Sequence, residues 1–315
     1  MVSNTITALN PLQGLSEAKD KRNSKGENAG PSVASGSGFP VPFALFIGPQ
    51  RAGTSWVDKY LRARGDICLP HSVKEIYFFD RYYNKGPNFY RSHFSIKPDH
   101  RIASEITTKS FADPLSPKRI FQYFGKNVSL ICPLREPVRR SFSLYLHYRQ
   151  YGMVKGDLRE AVRQRPDIIE TSRYAEHLER WFDVFGQDQI SICFQEELEK
   201  DQDEYGRKIC NALNIPFNMP SKFNLGRQNY ATRAPSYHLA KYGLMGAEWL
   251  RERNLYSVVN MAKNLGLKKL FFGSEKVENG RATMTDQDAD LLNNALQGEK
   301  EKLQDILGRD IPLWK

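Results

Sequence analysis

The sequence predicts an α/β fold in which helices flank a central, mainly parallel sheet. Three short apolar runs carry this prediction, at residues 43–47, 128–134 and 190–194. Runs of this length are typical of strands that are buried on both faces of a parallel sheet. A segment with helical spacing of its apolar residues follows each run, and alternating strands and helices indicate parallel βα units within one domain.

The first third of the chain begins with a predicted flexible tail over residues 1–40, which is rich in Ser, Gly, Asn and Lys and has no periodicity. We therefore expect the domain to occupy residues 41–315. A strand over 43–47 and a loop over 48–53 lead into a helix from Thr54, with Trp56 or Val57, Tyr60 and Leu61 on one face. Residues 101–108 predict a weaker strand.

The strand over 128–134 is ended by the sequence Arg-Glu-Pro, and a helix is predicted over 138–151. A second amphipathic helix is predicted over 173–185, then the strand over 190–194 and a further helix over 198–213. Residues 214–285 read as irregular, with a helix at about 237–265.

The last helix is predicted from its end signals and its apolar spacing. Thr285 with Asp288 resembles a capping box, and Gly308 occupies the position of a C-terminal cap. The residues that fit one helical face are Leu292, Leu296, Leu303 and Leu307.

Composition limits the class of protein. The chain carries 46 Lys and Arg against 36 Asp and Glu, a net charge of +10, which favours an anionic partner about as much as an ordinary solvated surface. No apolar run approaches the roughly 18 residues that span a membrane. The four cysteines are widely spaced, so we expect reduced thiols, no metal site and a cytoplasmic location.

The loop over 48–53 has the spacing G-x-x-x-x-G between a buried strand and a helix, the context of a phosphate-binding loop. Thr54 stands where nucleoside triphosphatases carry Lys after the second glycine, and the cation of the loop is Arg51. The strand over 128–134 ends in Arg135, and no carboxylate that would hold magnesium is apparent. These features favour an anion bound directly by protein cations over an ordinary glycine turn.

Three segments, at 50–56, 74–80 and 134–147, resemble in sequence and in chain order those of the sulfotransferases that use 3′-phosphoadenosine 5′-phosphosulfate (PAPS). Residues 50–56 (QRAGTSW) are similar to the 5′-phosphosulfate loop of that family, and residues 134–147 (LREPVRRSFSLYLH) to its 3′-phosphate segment. Residues 74–80 (KEIYFFD) and the ending at 307–314 resemble the heparan sulfate and bacterial branch. The resemblance implies the P-loop-like fold of that family over about 43–315.

Two features depart from the family pattern. The family segment Gly-Glu-Lys-Thr-Pro corresponds loosely to residues 104–108, where Ile106 replaces the Lys and Lys109 follows three positions later. The basic loop that closes over the 3′-phosphate is not evident, and Arg227 and the stretch 279–281 are its candidates.

The resemblance also assigns residues to the donor. The residues expected to bind PAPS, and the product 3′,5′-diphosphoadenosine (PAP), are Arg51, Ala52, Gly53, Thr54, Ser55, Trp56, Arg135 and Ser143. Arg51 is also expected to stabilise charge in the transition state. Trp56 has two interpretations of equal weight, a core residue or a platform for adenine.

A base must accept the proton of the attacking acceptor. The resemblance favours Glu75, which the aromatic residues after it would shield from water; the alternative is a surface carboxylate paired with Lys74. His71 is the main rival, because the cytosolic small-molecule branch uses His. His93 and His147 are further candidates.

The sequence therefore predicts a metal-free, cytoplasmic sulfotransferase. Its expected acceptor is a hydroxyl or amine of a small metabolite, a secondary metabolite or a glycolipid, with no nucleic acid and no membrane span. A lumenal glycan enzyme is not expected, because no membrane anchor is recognised before the domain. The alternatives are a P-loop kinase or hydrolase and a non-enzymatic nucleotide-binding protein. The oligomeric state is left open.

Overall fold

A five-stranded parallel sheet forms the centre of the fold. The computed structural model describes residues 38–220 and 283–314, together with scattered positions between 242 and 262. The strand order is β2-β3-β1-β4-β5, and all four pairings are parallel. The strands are β1 Phe43–Phe46, β2 Ile67–Cys68, β3 Ile102–Ile106, β4 Val128–Leu134 and β5 Ile190–Phe194.

Helices follow the strands and cover the sheet. We number the α-helices in chain order within the described residues. They are α1 Thr54–Arg64, α2 Gly86–Arg91, α3 Ser116–Phe124, α4 Pro137–Gln150, α5 Leu158–Gln164, α6 Asp167–Glu170, α7 Tyr174–Phe185, α8 Gln195–Lys200, α9 Gln202–Ala212, α10 Asp286–Ala295 and α11 Glu299–Leu307. A π-helix at Phe78–Tyr82 and short 3-10 turns at Tyr83–Lys85, Thr108–Phe111 and Gln187–Gln189 complete these elements.

The central strand β1 is apolar along its whole length because it is buried on both faces. Its side chains alternate between two core clusters: Phe43 and Leu45 lie in one, Ala44 and Phe46 in the other. The first cluster packs against α3 and α7, and the second against α1 and α9. This two-sided burial confirms the predicted α/β class with its flanked parallel sheet.

The predicted elements nearest the sheet agree with the structure. The strands predicted over 128–134 and 190–194 have the observed bounds, and the weak strand over 101–108 contains β3. The helices predicted after Thr54, over 138–151 and over 173–185 correspond to α1, α4 and α7 within a few residues. The capping box at Thr285 and Asp288 is present, and Gly308 caps α11 in the left-handed conformation.

Two predicted continuous helices are instead pairs of helices. The segment over 198–213 is interrupted at Asp201, whose side chain accepts the backbone N–H groups of Asp203 and Glu204 and so caps α9. The leucine face beyond 286 is interrupted at Gly298, which lies at φ 76°. The four leucines belong to two cores: Leu292 and Leu296 pack in one cluster, Leu303 and Leu307 in another.

Several predictions fall outside the described residues. The tail over 1–40 is one of them except for its last three positions, where Phe39 packs against Phe43 with ring centroids 4.6 Å apart. The helix at about 237–265 is described at scattered positions only, of which 242, 243, 245–247, 249, 250, 258, 261 and 262 are helical. The candidates Arg227 and 279–281 also lie outside. Among the described residues, no helix is long and apolar enough to cross a membrane.

Candidate active site

The glycine loop connects β1 to α1 through a tight approach to the neighbouring strand. A Cβ atom at Gly48 would lie 2.1 Å from the carbonyl oxygen of Pro133 in β4, so the position requires glycine. Gly53 precedes α1 at φ 82°, and within the described residues no side chain caps this helix end. Arg51 has φ 74°, a left-handed conformation that is costly for a residue with a Cβ. The loop therefore holds its cation in a strained, defined position.

The residues after Arg51 form the start of α1. Ala52 is fully buried, Thr54 is buried at 4% exposure and Ser55 is half-buried. Trp56 packs in the core beside α9, where its ring stacks on Tyr60 at 5.0 Å and its indole N–H donates to Gln202 Oε1 at 3.2 Å. This packing accounts for Trp56 as a core residue, and its contact with adenine stays a prediction.

The loop and the segment after β4 meet at Arg51, although they are about 90 residues apart in sequence. Arg51 Nε donates to Ser143 Oγ at 3.0 Å. Arg135 Nη1 donates to the carbonyl oxygen of Arg51 across a long contact of 3.5 Å. Because β1 and β4 are parallel neighbours, their carboxyl ends lie at one edge of the sheet. The structure thus brings together Arg51, Arg135 and Ser143, all predicted from sequence.

A third arginine joins these residues. Arg140 in α4 is fully buried, and no hydrogen-bond partner reaches its Nη1 among the described residues. Its Nη2 donates to the carbonyl oxygen of Ile168 at 2.5 Å, and its Nε to Ser172 Oγ. We call Arg51, Arg135 and Arg140 the arginine cluster.

The electrostatics of the arginine cluster are unfavourable without an anion. Burial lowers the pKa of Arg51 to about 10, and repulsion from Arg135 and Arg140 adds to the effect. Burial also lowers the pKa of both other arginines. Within the cluster the charges oppose one another, so a bound anion would relieve both the desolvation and the repulsion.

Glu75 lies on the loop that precedes the π-helix and is half-buried. Its Oε2 accepts a hydrogen bond from Thr108 Oγ1 at 2.6 Å, just beyond the end of β3. The preceding Lys74 donates to Thr54 Oγ1 at 3.2 Å, in the first turn of α1. Lys74 is therefore engaged by the glycine-loop helix, and Glu75 by the strand beside β1. These contacts connect the candidate base to the donor loop.

A second carboxylate, Glu105, lies beneath this loop near the carboxyl end of β3 and is fully buried. Its Oε1 accepts the backbone N–H of Ile76 at 2.9 Å, and its Oε2 accepts the hydroxyl of Tyr90 at 2.8 Å. Burial raises the pKa of Glu105 to about 8, which the two hydrogen bonds partly oppose. Glu105 holds the backbone directly after Glu75.

The histidines predicted as rival bases have different surroundings. His71 is exposed, and its backbone N–H donates to the carbonyl oxygen of His93 at 3.1 Å. His93 is buried with its Nδ1 2.8 Å from the carbonyl oxygen of Phe89, and burial lowers its pKa. His147 lies in α4 with its ring 4.6 Å from that of Tyr151.

Residues 104–109 correspond to the family segment whose lysine is replaced by Ile106 in this chain. Ile106 packs in the core cluster beneath α1. Lys109 Nζ lies 3.4 Å from the hydroxyl of Tyr148 and 3.8 Å from Asp167 Oδ2, and burial lowers its pKa. A cation is thus present near this strand end, but on the residue three positions later.

Sequence reasoning placed four polar residues of this site within motifs but gave them no role of their own: Lys74, Thr108, Glu105 and Arg140. Arg140 was visible within the 3′-phosphate segment as its third arginine. Glu105 could have been noticed as a charged residue in the middle of a strand that reads as buried. The contacts of Lys74 and Thr108 had no sequence signal. In the described ranges, no group of three His, Cys, Asp or Glu could hold a metal ion.

Known proteins resemble this chain over the same region. The family described as "Sulfotransferase domain" matches residues 43–235. Membrane-associated sulfotransferase kil1 of Dictyostelium discoideum is 31% identical over 140 residues, which cover 42% of this chain and 29% of that protein. Human heparan sulfate glucosamine 3-O-sulfotransferase 3B1 is 30% identical over 193 residues, 54% of this chain and 45% of that protein. The chain matches less than half the length of either relative.

A solved structure shares the fold. The crystal structure of a sulfotransferase from Alicyclobacillus acidocaldarius superposes with a TM-score of 0.61 and 18% sequence identity, over 88% of this chain and 99% of that chain. The family match spans more than half of the present chain and includes the glycine loop, the arginine cluster and Glu75. On this match, the chain belongs to the sulfotransferase domain family.

Proposed function

We propose that this sulfotransferase uses PAPS as its donor and transfers the sulfuryl group to a hydroxyl or amine of its acceptor. The observation that carries the proposal is the arginine cluster. Three guanidinium groups, those of Arg51 and Arg135 half-buried and that of Arg140 fully buried, lie just beyond the carboxyl ends of β1 and β4, beside the start of α1, which no side chain caps among the described residues. An anion with two separate phosphate groups would match this distribution of charge.

The residues fit the donor in two groups. Arg51, Thr54 and Ser55, with the first amides of α1, would hold the 5′-phosphosulfate at a helix N-terminus. Arg135 and Ser143 would hold the 3′-phosphate from the start and second turn of the segment after β4. The contact between Arg51 Nε and Ser143 Oγ supports a site small enough for one nucleotide.

The donor supplies an activated sulfur atom, whose bond to the bridging phosphate oxygen breaks during transfer. Arg51 would stabilise the negative charge that grows on that oxygen. A guanidinium stays protonated at neutral pH even with its pKa lowered to about 10, so Arg51 acts as an electrostatic clamp and not as an acid. The strained backbone of Arg51 supports a fixed orientation, which avoids reorganisation during the reaction.

Glu75 would accept the proton of the attacking group. Its Oε2 is oriented by Thr108 Oγ1, and the backbone after it is held by Glu105, so Oε1 is the oxygen that would take the proton. A positioned base of this kind typically contributes about 10²- to 10⁴-fold to the rate. Attack in line with the breaking bond then needs no metal ion in the proposed scheme.

For the acceptor we propose only a chemical class. The proposed acceptor is a small metabolite, a secondary metabolite or a glycolipid. The proposed location is the cytoplasm, and the four free, buried cysteines are compatible with such a reducing compartment. The relatives named for heparan sulfate make a glycan hydroxyl an additional acceptor to screen. Incubation with ³⁵S-labelled donor and a panel of these classes would identify it.

Calorimetric titration with PAP and ADP tests the donor assignment before any acceptor is known. We expect PAP to bind far more tightly, because Arg135 and Ser143 contact a 3′-phosphate that ADP lacks. Arg135→Ala should weaken PAP binding by about 1–3 kcal/mol, the cost of removing one charged hydrogen-bond partner. Arg139→Ala is the matched control, since Arg139 is an exposed arginine four residues after Arg135, in the first turn of α4. Equal affinity for PAP and ADP would contradict the proposal.

A further inference from the structure

Lys74 contacts the proposed donor loop and is adjacent in sequence to the proposed base. Its Nζ donates to Thr54 Oγ1 at 3.2 Å, in the first turn of α1. Glu75, the proposed base, is the next residue in the chain. Thr54 is buried and follows Gly53 at the uncapped helix start. A single lysine thus contacts the donor loop while adjoining the residue that would take the acceptor proton.

The surroundings of Lys74 differ from those of a surface lysine. Burial lowers its pKa, and the positive charges of Arg51 and Arg62 act in the same direction against the opposing effect of Glu75 and Asp58. An ammonium group has three N–H donors, and the contact with Thr54 uses one. A desolvated cation interacts strongly with an anion brought beside it, and one contact leaves an ammonium group able to donate further hydrogen bonds.

We propose that Lys74 is a further cation of the donor site and donates hydrogen bonds to the sulfuryl oxygens of bound PAPS. The inference rests on the function proposed above, which places the phosphosulfate at Thr54 and Ser55. Arg51 is assigned there to the bridging oxygen. Lys74 approaches the same loop from the side of Glu75, where the transferred group must face the acceptor.

The step balances without a further reagent. A bond forms between the acceptor oxygen or nitrogen and sulfur while the bond from sulfur to the bridging oxygen breaks. The bonding electron pair remains on the 5′-phosphate, and the acceptor proton passes to Glu75. Lys74 keeps its protons and stabilises the charge on the sulfuryl oxygens through transfer. Its role should therefore be felt with PAPS and much less with PAP, which has no sulfuryl group.

Comparison of PAPS with PAP tests this difference without an acceptor. Lys74→Met removes the charge and keeps most of the side-chain length, Lys74→Arg keeps the charge, and Lys118→Met is a control at an exposed lysine of α3. Dissociation constants are measured by calorimetry on freshly prepared nucleotides. We expect Lys74→Met to weaken PAPS binding about tenfold or more, PAP binding less than about threefold, and Lys74→Arg to restore part of the difference.

Thr54→Val provides a second route to the same test. It removes the hydroxyl that accepts from Lys74 and that would also hold the 5′-phosphosulfate, so only the part of its effect that disappears in the Lys74→Met background reports on their contact. Circular dichroism of each variant checks its folding. Should Lys74→Met fail to fold, the ratio of PAPS to PAP affinity is measured in Lys74→Gln, which also removes the charge, with Lys74→Arg as the variant that keeps it.

Two outcomes distinguish failure of the Lys74 proposal from failure of the PAPS proposal. Equal weakening of PAPS and PAP, or no weakening of either, would overturn the role of Lys74 and leave the donor assignment standing. A wild-type protein that does not prefer PAP to ADP would refute the proposed donor and this inference together.

Discussion

Glu105→Gln tests the buried carboxyl that holds the backbone after Glu75. The wild-type group is fully buried, accepts hydrogen bonds from Ile76 N and the Tyr90 hydroxyl, and has its pKa raised from 4.5 to about 8 by burial. Glutamine keeps the shape and one acceptor oxygen for the Ile76 N–H but cannot ionise. The substitution therefore separates the ionisation of this group from its packing.

The magnitude follows from the two pKa values. A raised pKa means that the folded state binds the proton more tightly than the unfolded state. Its stabilising effect is complete below pH 4.5 and is lost as the pH rises to about 8. At about 1.4 kcal/mol per pH unit, the full loss is on the order of 5 kcal/mol. Because glutamine does not ionise, the Glu105→Gln variant does not lose stability in this way. Its free energy of unfolding relative to wild type should therefore increase with pH.

Denaturant unfolding at pH 5.5, 7 and 8.5 measures the difference. We expect the stability of Glu105→Gln relative to wild type to rise by about 3 kcal/mol over this range, with most of the change below pH 8. Asp80, whose pKa burial raises to about 6, is present in both proteins, so most of its titration cancels in the comparison. Two stability curves that stay parallel from pH 5.5 to 8.5 would refute a carboxyl that stays protonated to about pH 8.

The remaining predictions concern turnover with an acceptor found by screening. Arg51→Ala should lower kcat by roughly 100-fold or more with a smaller effect on donor affinity, and Arg51→Lys should retain part of the activity; near-normal turnover of Arg51→Ala would remove the loop from the transfer site. Glu75→Gln should lower kcat by about 10²- to 10⁴-fold and leave PAP binding intact, whereas exposed His71→Ala should change kcat little. The opposite pattern in that pair would make His71 the base, and full activity of both variants would indicate an acceptor that needs no strong base.

Local patterns in the sequence were sufficient for four of the five described strands and for the glycine loop, whereas the two-residue strand β2 was not predicted. Strands β4 and β5 are continuous apolar runs because a parallel sheet buries both of their faces, so their bounds could be predicted from apolarity alone. The glycine loop is likewise local, since β1, the loop and α1 are contiguous. Arg135 and Ser143 came from one motif, and the structure brings both to Arg51.

Helix breaks were the weakest part of the prediction. The leucines at 292, 296, 303 and 307 have one helical spacing, yet the chain turns at Gly298 and the two pairs enter different cores. Periodicity reports which residues are buried and does not report what they are buried against. A cap such as Asp201 also reads as an ordinary exposed aspartate until its backbone partners are known.

The sequence by itself determined the fold class and predicted the glycine loop with Arg51 and the segment with Arg135, because each of these is a local pattern of residues close together in the chain. Tertiary structure alone decided how these cations meet. The order β2-β3-β1-β4-β5 places β4 on one side of β1 and β3 on the other. That order places Arg135, which follows β4, on one side of the glycine loop after β1. It places the Thr108–Glu75 contact, which follows β3, on the other side. The burial that raises the pKa of Glu105 and lowers that of Lys74 arises from the same packing, since desolvation depends on the whole surrounding structure and on no local pattern.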